Sequence, residues 1–177
     1  MLVTALLKFG YMTRIRQPES RGKKSYSPSE IFVAVSRYCG YQERSHKEVR
    51  NKLYGYGLHR AQVEEALTRL ITEGFLNEER FAKAFAGGKF RIKKWGRNKI
   101  VHELEAHAIT PKCIQKGLKE IDESDYRKVL KDLLKKKLVG TEALNLFKKR
   151  DKIARFAIGK GYEPELVWGI LKEMTEV

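Results

Sequence analysis

The feature that most constrains this chain is an internal repeat. Six apolar positions, Val49, Leu53, Leu58, Val63, Leu67 and Leu70, recur 51 residues later as Ile100, Leu104, Ile109, Ile114, Leu118 and Ile121. They recur again, 53 residues further on, as Ile153, Ala157, Tyr162, Val167, Leu171 and Met174. The break inside each set is repeated too, as Gly57-Leu58, Ala108-Ile109 and Gly161-Tyr162, and Pro111 and Pro164 take equivalent places. An irregular bundle has no reason to preserve six positions through two shifts, so like units stacked on one another are expected.

Within a unit the spacing predicts helix, short turn, helix. Val63, Leu67, Leu70 and Ile71 fall on one helical face. Helix starts are written as Ser27-Pro28-Ser29-Glu30 and Ser45-His46-Lys47-Glu48, both capping boxes, as Asn77 before Glu78 and Glu79, and as Thr110-Pro111. Gly74 is a helix stop. A preceding helix completes each unit, at about residues 28–40, 78–93 and 124–139. The hairpin dipeptides Asn-Gly and Asp-Gly are absent. The expected fold is all-α: three tandem three-helix repeats, 27–74, 75–122 and 123–177, forming an elongated curved array. Residues 1–26 stand outside the repeat and carry Arg14, Arg16, Arg21, Lys23 and Lys24 against Glu19. They predict a mobile basic arm. Met12 is an alternative start, because residues 1–11 fit neither repeat nor arm.

The 177 residues hold 37 Lys and Arg against 22 Asp and Glu, a net charge of +15. That surplus points to a polyanionic partner: nucleic acid, an acidic protein surface or a nucleoprotein assembly. Cys39 and Cys113 are far apart in sequence, form no CxxC pair and suggest an intracellular, cytoplasmic protein. No run of about 18 apolar residues is present to span a membrane.

Catalytic patterns are missing. Gly87-Gly88 lacks the Lys-Ser/Thr ending of a phosphate loop, and neither HExxH nor GxSxG occurs. His102 and His107 are five apart, one residue off the spacing that puts two ligands on one helix face. Cys113 reads as a small core residue. No enzyme activity, metal, cofactor or small-molecule substrate is expected.

The clearest functional signal is a basic run. From Arg80 to His102 come Arg80, Lys83, Lys89, Arg91, Lys93, Lys94, Arg97 and Lys99 without one acidic residue, with Phe90 and Trp95 interleaved. It crosses a helix end, a turn at Gly96 and a helix start. Such a ridge suits phosphates or an acidic groove, and Trp95 could stack on a base or pack inward; packing is favoured. Arg44, Lys47, Arg50 and Lys52 mark the first unit. Lys128, Lys131, Lys135, Lys136 and Lys137, then Lys148, Lys149, Arg150, Lys152 and Arg155, mark the third. Stacking would turn these clusters into a stripe.

The residues Gly74-Phe75-Leu76-Asn77-Glu78-Glu79-Arg80-Phe81-Ala82 resemble a signature of the bacterial RecX regulatory proteins. Lys94-Trp95-Gly96-Arg97-Asn98-Lys99-Ile100 with Leu104, and Ser45-His46-Lys47-Glu48-Val49-Arg50 with Leu53, resemble two further elements of that family. The likeness runs from about residue 28 to 175. Ala108 stands where the family's second unit often has Gly, and the arm matches nothing in it.

The resemblance implies tandem three-helix repeats and binding to the RecA recombinase filament on single-stranded DNA. The protein would lie in the filament groove and restrain extension, ATPase, strand exchange and coprotease activity, linking it to recombination, DNA repair and the SOS response. Docking would be that of a monomer. The contact residues expected are Arg80, Lys89, Arg91, Lys93, Lys94, Trp95, Arg97 and Lys99, with Arg44, Lys47, Arg50 and Lys52. Direct nucleic-acid binding without a recombinase is the alternative. A helical scaffold whose charge serves solubility is a third.

Overall fold

A computed structural model describes residues 26–142 and 145–175. The expected basic arm, apart from Tyr26, and the question of Met12 as start lie outside the described residues. Nine helices and no strand are present among the described residues. They are α1 Pro28–Tyr41, α2 His46–Gly55, α3 Arg60–Thr72, α4 Glu78–Lys93, α5 Arg97–Ala106, α6 Pro111–Leu118, α7 Glu123–Val139, α8 Leu146–Gly159 and α9 Pro164–Thr175.

The starts form for the reasons the sequence suggests. In α1 the Glu30 N–H donates to Ser27 Oγ at 3.3 Å, and the Ser27 N–H donates back to the Glu30 carboxylate at 2.8 Å. Ser45 and Glu48 repeat the exchange at 3.1 and 2.9 Å. The Arg80 N–H donates to Asn77 Oδ1 at 2.8 Å. Each bond satisfies donors that a helix start leaves without an intrahelical partner. Thr110 departs from expectation. It sits at the N-cap with Pro111 following, but its side chain makes no cap bond; instead its backbone N–H donates to the Glu78 carboxylate. A carboxylate from α4 thus takes the place of a local cap and suits the positive helix end.

Of the eighteen repeated positions all are buried except Leu58, Leu118 and Met174, which are half-buried. Burying one such Leu or Ile contributes about 2 kcal/mol. Ile71, expected on the buried face of α3, is 46% exposed. It lies at the edge of the face set by Val63, Leu67 and Leu70.

The principal helix–helix contacts fall within α1–α3, α4–α6 and α7–α9. The cores divide differently. Ile31, Val35, Val49, Leu53, Val63, Leu67, Leu70 and Leu76 form one cluster belonging to α1–α3 and the residues just after them. A second cluster runs through α4–α9 without interruption, joining Phe90, Ile100 and Leu104 to Tyr126, Ile153, Tyr162 and Leu171. Between the two clusters, polar contacts cross. Ser45 Oγ lies 3.2 Å from His107 Nδ1, Lys47 Nζ donates to the Ala106 carbonyl at 2.8 Å, and Arg80 Nε meets Glu43 at 2.8 Å.

The turn at the second break has the same backbone as its counterparts. Gly57 and Gly161 have φ of 87° and 94°, and Ala108, without glycine's freedom, has φ of 59°. A left-handed conformation strains an L-residue by about 1–2 kcal/mol, so the packing of α5 and α6 holds Ala108 there.

Candidate interaction surface

The basic ridge occupies the last turns of α4, the connection through residues 94–96 and the first turn of α5. Lys94 ends α4 in the left-handed conformation, φ 53°. Its N–H donates to the Phe90 carbonyl at 3.0 Å. The chain then reverses through Gly96, whose position is fixed from outside. The Gly96 N–H donates to the Lys160 carbonyl at 2.8 Å, and the Asn98 N–H to the Gly161 carbonyl at 3.0 Å. A Cβ on Gly96 would lie 2.2 Å from the Gly161 carbonyl atoms, and one on Gly161 would lie 2.3 Å from Lys99 Cβ. The α4–α5 turn is therefore pinned against the α8–α9 turn, backbone to backbone.

Tyr126 makes the second clamp. Its ring is fully buried, its hydroxyl accepts from the Arg97 N–H at 3.0 Å and donates to Glu163 at 2.7 Å, and so it ties the start of α5 to the residue preceding α9. Burial drives its phenol far above the ordinary value, and burial pushes Tyr162 up to about 12. The two rings pack 5.1 Å apart.

On this rigid turn the cations divide into two kinds. Arg97 is half-buried, pairs with Glu123 at 2.7 Å and stacks 4.1 Å over Tyr126. Arg80 pairs with Glu43 and also donates to the Gly74 carbonyl at 2.9 Å. Both hold parts of the fold together. Arg91, Lys93 and Lys94 are exposed, and their side-chain nitrogens have no hydrogen-bond or ion-pair partner among the described residues. Lys89 and Lys99 lie between. Their ammonium groups sit 4.9 and 4.7 Å over the Trp95 ring, which packs half-buried against the larger core. Trp95 thus braces two lysines while covering the core beneath them.

The four first-unit candidates are engaged within the chain. Arg50 meets Glu64 with two nitrogens, at 3.1 and 3.2 Å. Arg44 stacks 4.1 Å over Tyr38 and lies 3.7 Å from Glu48. Lys47 is spent on the Ala106 carbonyl, and Lys52 sits 5.3 Å over Tyr38. Surface ion pairs of this kind are weak enough to exchange for another anion.

Sequence reasoning overlooked Lys160. Its Nζ reaches the Lys93 carbonyl at 3.5 Å, which adds a cation from α8's C-terminal cap to the ridge. The repeat held the clue, since Lys160 stands one residue before Gly161 and so belongs to the turn that meets Gly96. Among the described residues, no group of three His, Cys, Asp or Glu is placed to hold a metal ion, and no helix is long and apolar enough to cross a membrane.

The sequence matches two family models, the first three-helix domain of RecX over residues 32–70 and the second over residues 77–118. Regulatory protein RecX of Clostridium beijerinckii is 26% identical over 136 residues, covering 76% of this chain and 63% of that protein. Regulatory protein RecX of Prosthecochloris aestuarii is 28% identical over 153 residues, covering 84% and 97%. The chain spans a little under two thirds of the length of the clostridial relatives it matches. Among solved structures, that of RecX from Lactobacillus salivarius is similar with a TM-score of 0.75 at 21% identity, over 85% of this chain and 97% of that one. A second, a regulatory protein RecX, gives 0.74 at 17% identity over 82% and 71%. At such identities these likenesses speak for the fold.

Proposed function

The chain belongs to the RecX family, and from that premise we propose that it restrains the RecA recombinase by binding the filament that RecA forms on single-stranded DNA. The observation that carries this reading is the set of partnerless cations, Arg91, Lys93 and Lys94, displayed on a turn that Gly96 and Tyr126 hold fixed. A cationic turn with a fixed backbone fits a repetitive acidic surface, because the ordering cost of docking falls on the side chains and not on the turn itself.

In this reading the three units, 27–74, 75–122 and 123–177, stack into a curved array that enters the filament groove and touches more than one recombinase subunit. The arm, 1–26, adds positive charge. Docking blocks subunit addition and restrains ATPase, strand exchange and coprotease activity without chemistry by this chain. Lys89 and Lys99 contribute from beside Trp95. Arg44, Lys47, Arg50 and Lys52 contribute by exchanging their internal partners, while Arg80 and Arg97 position the surface.

Co-sedimentation with RecA–single-stranded DNA filaments tests the reading. The chain should pellet with filaments and stay in solution with either RecA or DNA alone at the same salt. Equal pelleting with bare DNA would contradict it.

One observation favours a second reading, direct binding of single-stranded nucleic acid. Phe147 is 77% exposed at the start of α8, followed by Lys148 and Lys149, an arrangement on which a base could stack. Binding of that kind falls steeply with salt and needs no recombinase.

A further inference from the structure

Gly87 and Gly88 stand in the interior of α4, where each costs about 1 kcal/mol relative to Ala. A Cβ on Gly87 would meet only the end of the Arg91 side chain, at 2.8 Å. Around Gly88 the space is open: among the described residues no atom lies within 4 Å of where its Cβ would be. Its missing side chain opens a notch in a cleft of about 330 Å³ between α4 and the loop that follows α1. Phe81, Ala84 and Phe85 line the floor, and Ile92, 76% exposed, stands at the mouth. These residues recur at helical spacing and make one apolar strip along α4.

The rim is charged. Lys89 and Lys93 reach it from α4, and Gln42 and Glu43 from the loop. Glu43 gives one carboxylate oxygen to Arg80 at 2.8 Å, and its other oxygen, Oε2, is buried with no hydrogen-bond partner among the described residues, so Glu43 is held in place beside the lysines.

We propose that this cleft is an anchor pocket for a peptide segment of an acidic partner protein, one carrying a large apolar side chain flanked by carboxylates. The apolar side chain enters over Gly88, where the absent Cβ lets the partner's backbone come close. Its carboxylates meet Lys89 and Lys93 at the rim. That this segment belongs to the recombinase filament rests on the function proposed above; the pocket's chemistry does not.

The test is Gly88→Leu, with Gly88→Ala beside it. Both raise helix propensity, so the fold is expected to be kept or strengthened, which thermal melts would verify. Two probes are used on wild type and variants: RecA–single-stranded DNA filaments, and a short fluorescein-labelled peptide with Phe-Leu at its centre and Asp and Glu on either side. A version with Lys in place of the acids serves as control. Wild type should bind the acidic peptide with amide shifts at Ala84, Gly88 and Ile92, and Gly88→Leu should weaken both peptide and filament binding at least tenfold. Filament binding unchanged by Gly88→Leu, with no peptide shifts at those amides, would overturn the pocket and leave filament regulation standing. Peptide binding at the cleft by a wild type that ignores filaments would keep the pocket and refute the function.

Discussion

Gly96 and Gly161 touch through their backbones: the residue before Gly161 accepts the Gly96 N–H at 2.8 Å, and there is room for a Cβ on neither glycine. This contact sets the ridge-bearing turn against the third helical group, so it should govern stability and binding together. Gly96→Ala pushes a methyl into a carbonyl that cannot move aside as a side chain would. A loss of about 3 kcal/mol is expected, read as a lower urea midpoint with a shift of Trp95 fluorescence. Gly57→Ala is the comparison. Its strain is of the other kind: Gly57 is left-handed, φ 87°, where Gly96 is extended, φ −77°, and among the described residues no atom lies within 4 Å of a Cβ on Gly57, so Gly57→Ala should lose only a conformational part, about 1 kcal/mol.

Ala108 holds the left-handed turn at the second break without glycine's freedom. Ala108→Gly relieves that strain and should stabilise the protein by about 0.5–1 kcal/mol, after the unfolded chain's gain in entropy is set against it. Chemical denaturation of the pair of proteins measures this. A loss of stability would mean that the alanine methyl matters more to packing than its backbone strain costs.

Tyr126 and Tyr162 carry a pH dependence whose sign is fixed. Both phenols are raised above their ordinary value near 10, chiefly by burial, Tyr162 to about 12 and Tyr126 beyond it. The fold favours their neutral forms, so stability is full below about pH 10 and falls as pH rises above it. Alkaline titration followed at the phenolate absorbance should show the exposed tyrosines first, then these two together with unfolding. Tyr126→Phe should also lose about 1–3 kcal/mol at neutral pH, since the Arg97 N–H and Glu163 lose their shared partner.

The ridge separates binding from folding. Reversal of the partnerless cations, R91E with K93E and K94E, should leave the thermal midpoint nearly unchanged and weaken filament binding at least tenfold. Reversal of Arg97 alone should lower stability, because it sets a second carboxylate beside Glu123 and removes the ring contact with Tyr126. Circular dichroism melts beside filament binding resolve the two effects.

The helical periodicity made much of the architecture readable. Val49 to Leu70 and their two shifted copies name the buried faces, and Ser27, Ser45 and Asn77 name the starts, because both depend on neighbours close in sequence. What the sequence hid depends on distant ones. Nothing local to Gly96 announces Gly161, and nothing local to Thr110 announces the Glu78 carboxylate. The ridge was visible as charge, but charge alone does not tell Lys94, with no partner among the described residues, from Arg97, held by Glu123 and Tyr126. Gly88 was visible only as a failed phosphate loop; its meaning came from the empty space around it.

The most direct test of the account follows RecA ATPase on single-stranded DNA while this chain is titrated in, with binding to bare DNA measured at the same salt. The account predicts inhibition at less than one chain per recombinase subunit with weak binding to bare DNA, and loss of that inhibition on reversal of Arg91, Lys93 and Lys94. Tight binding to bare DNA, with inhibition relieved by added DNA and untouched by that reversal, would contradict it.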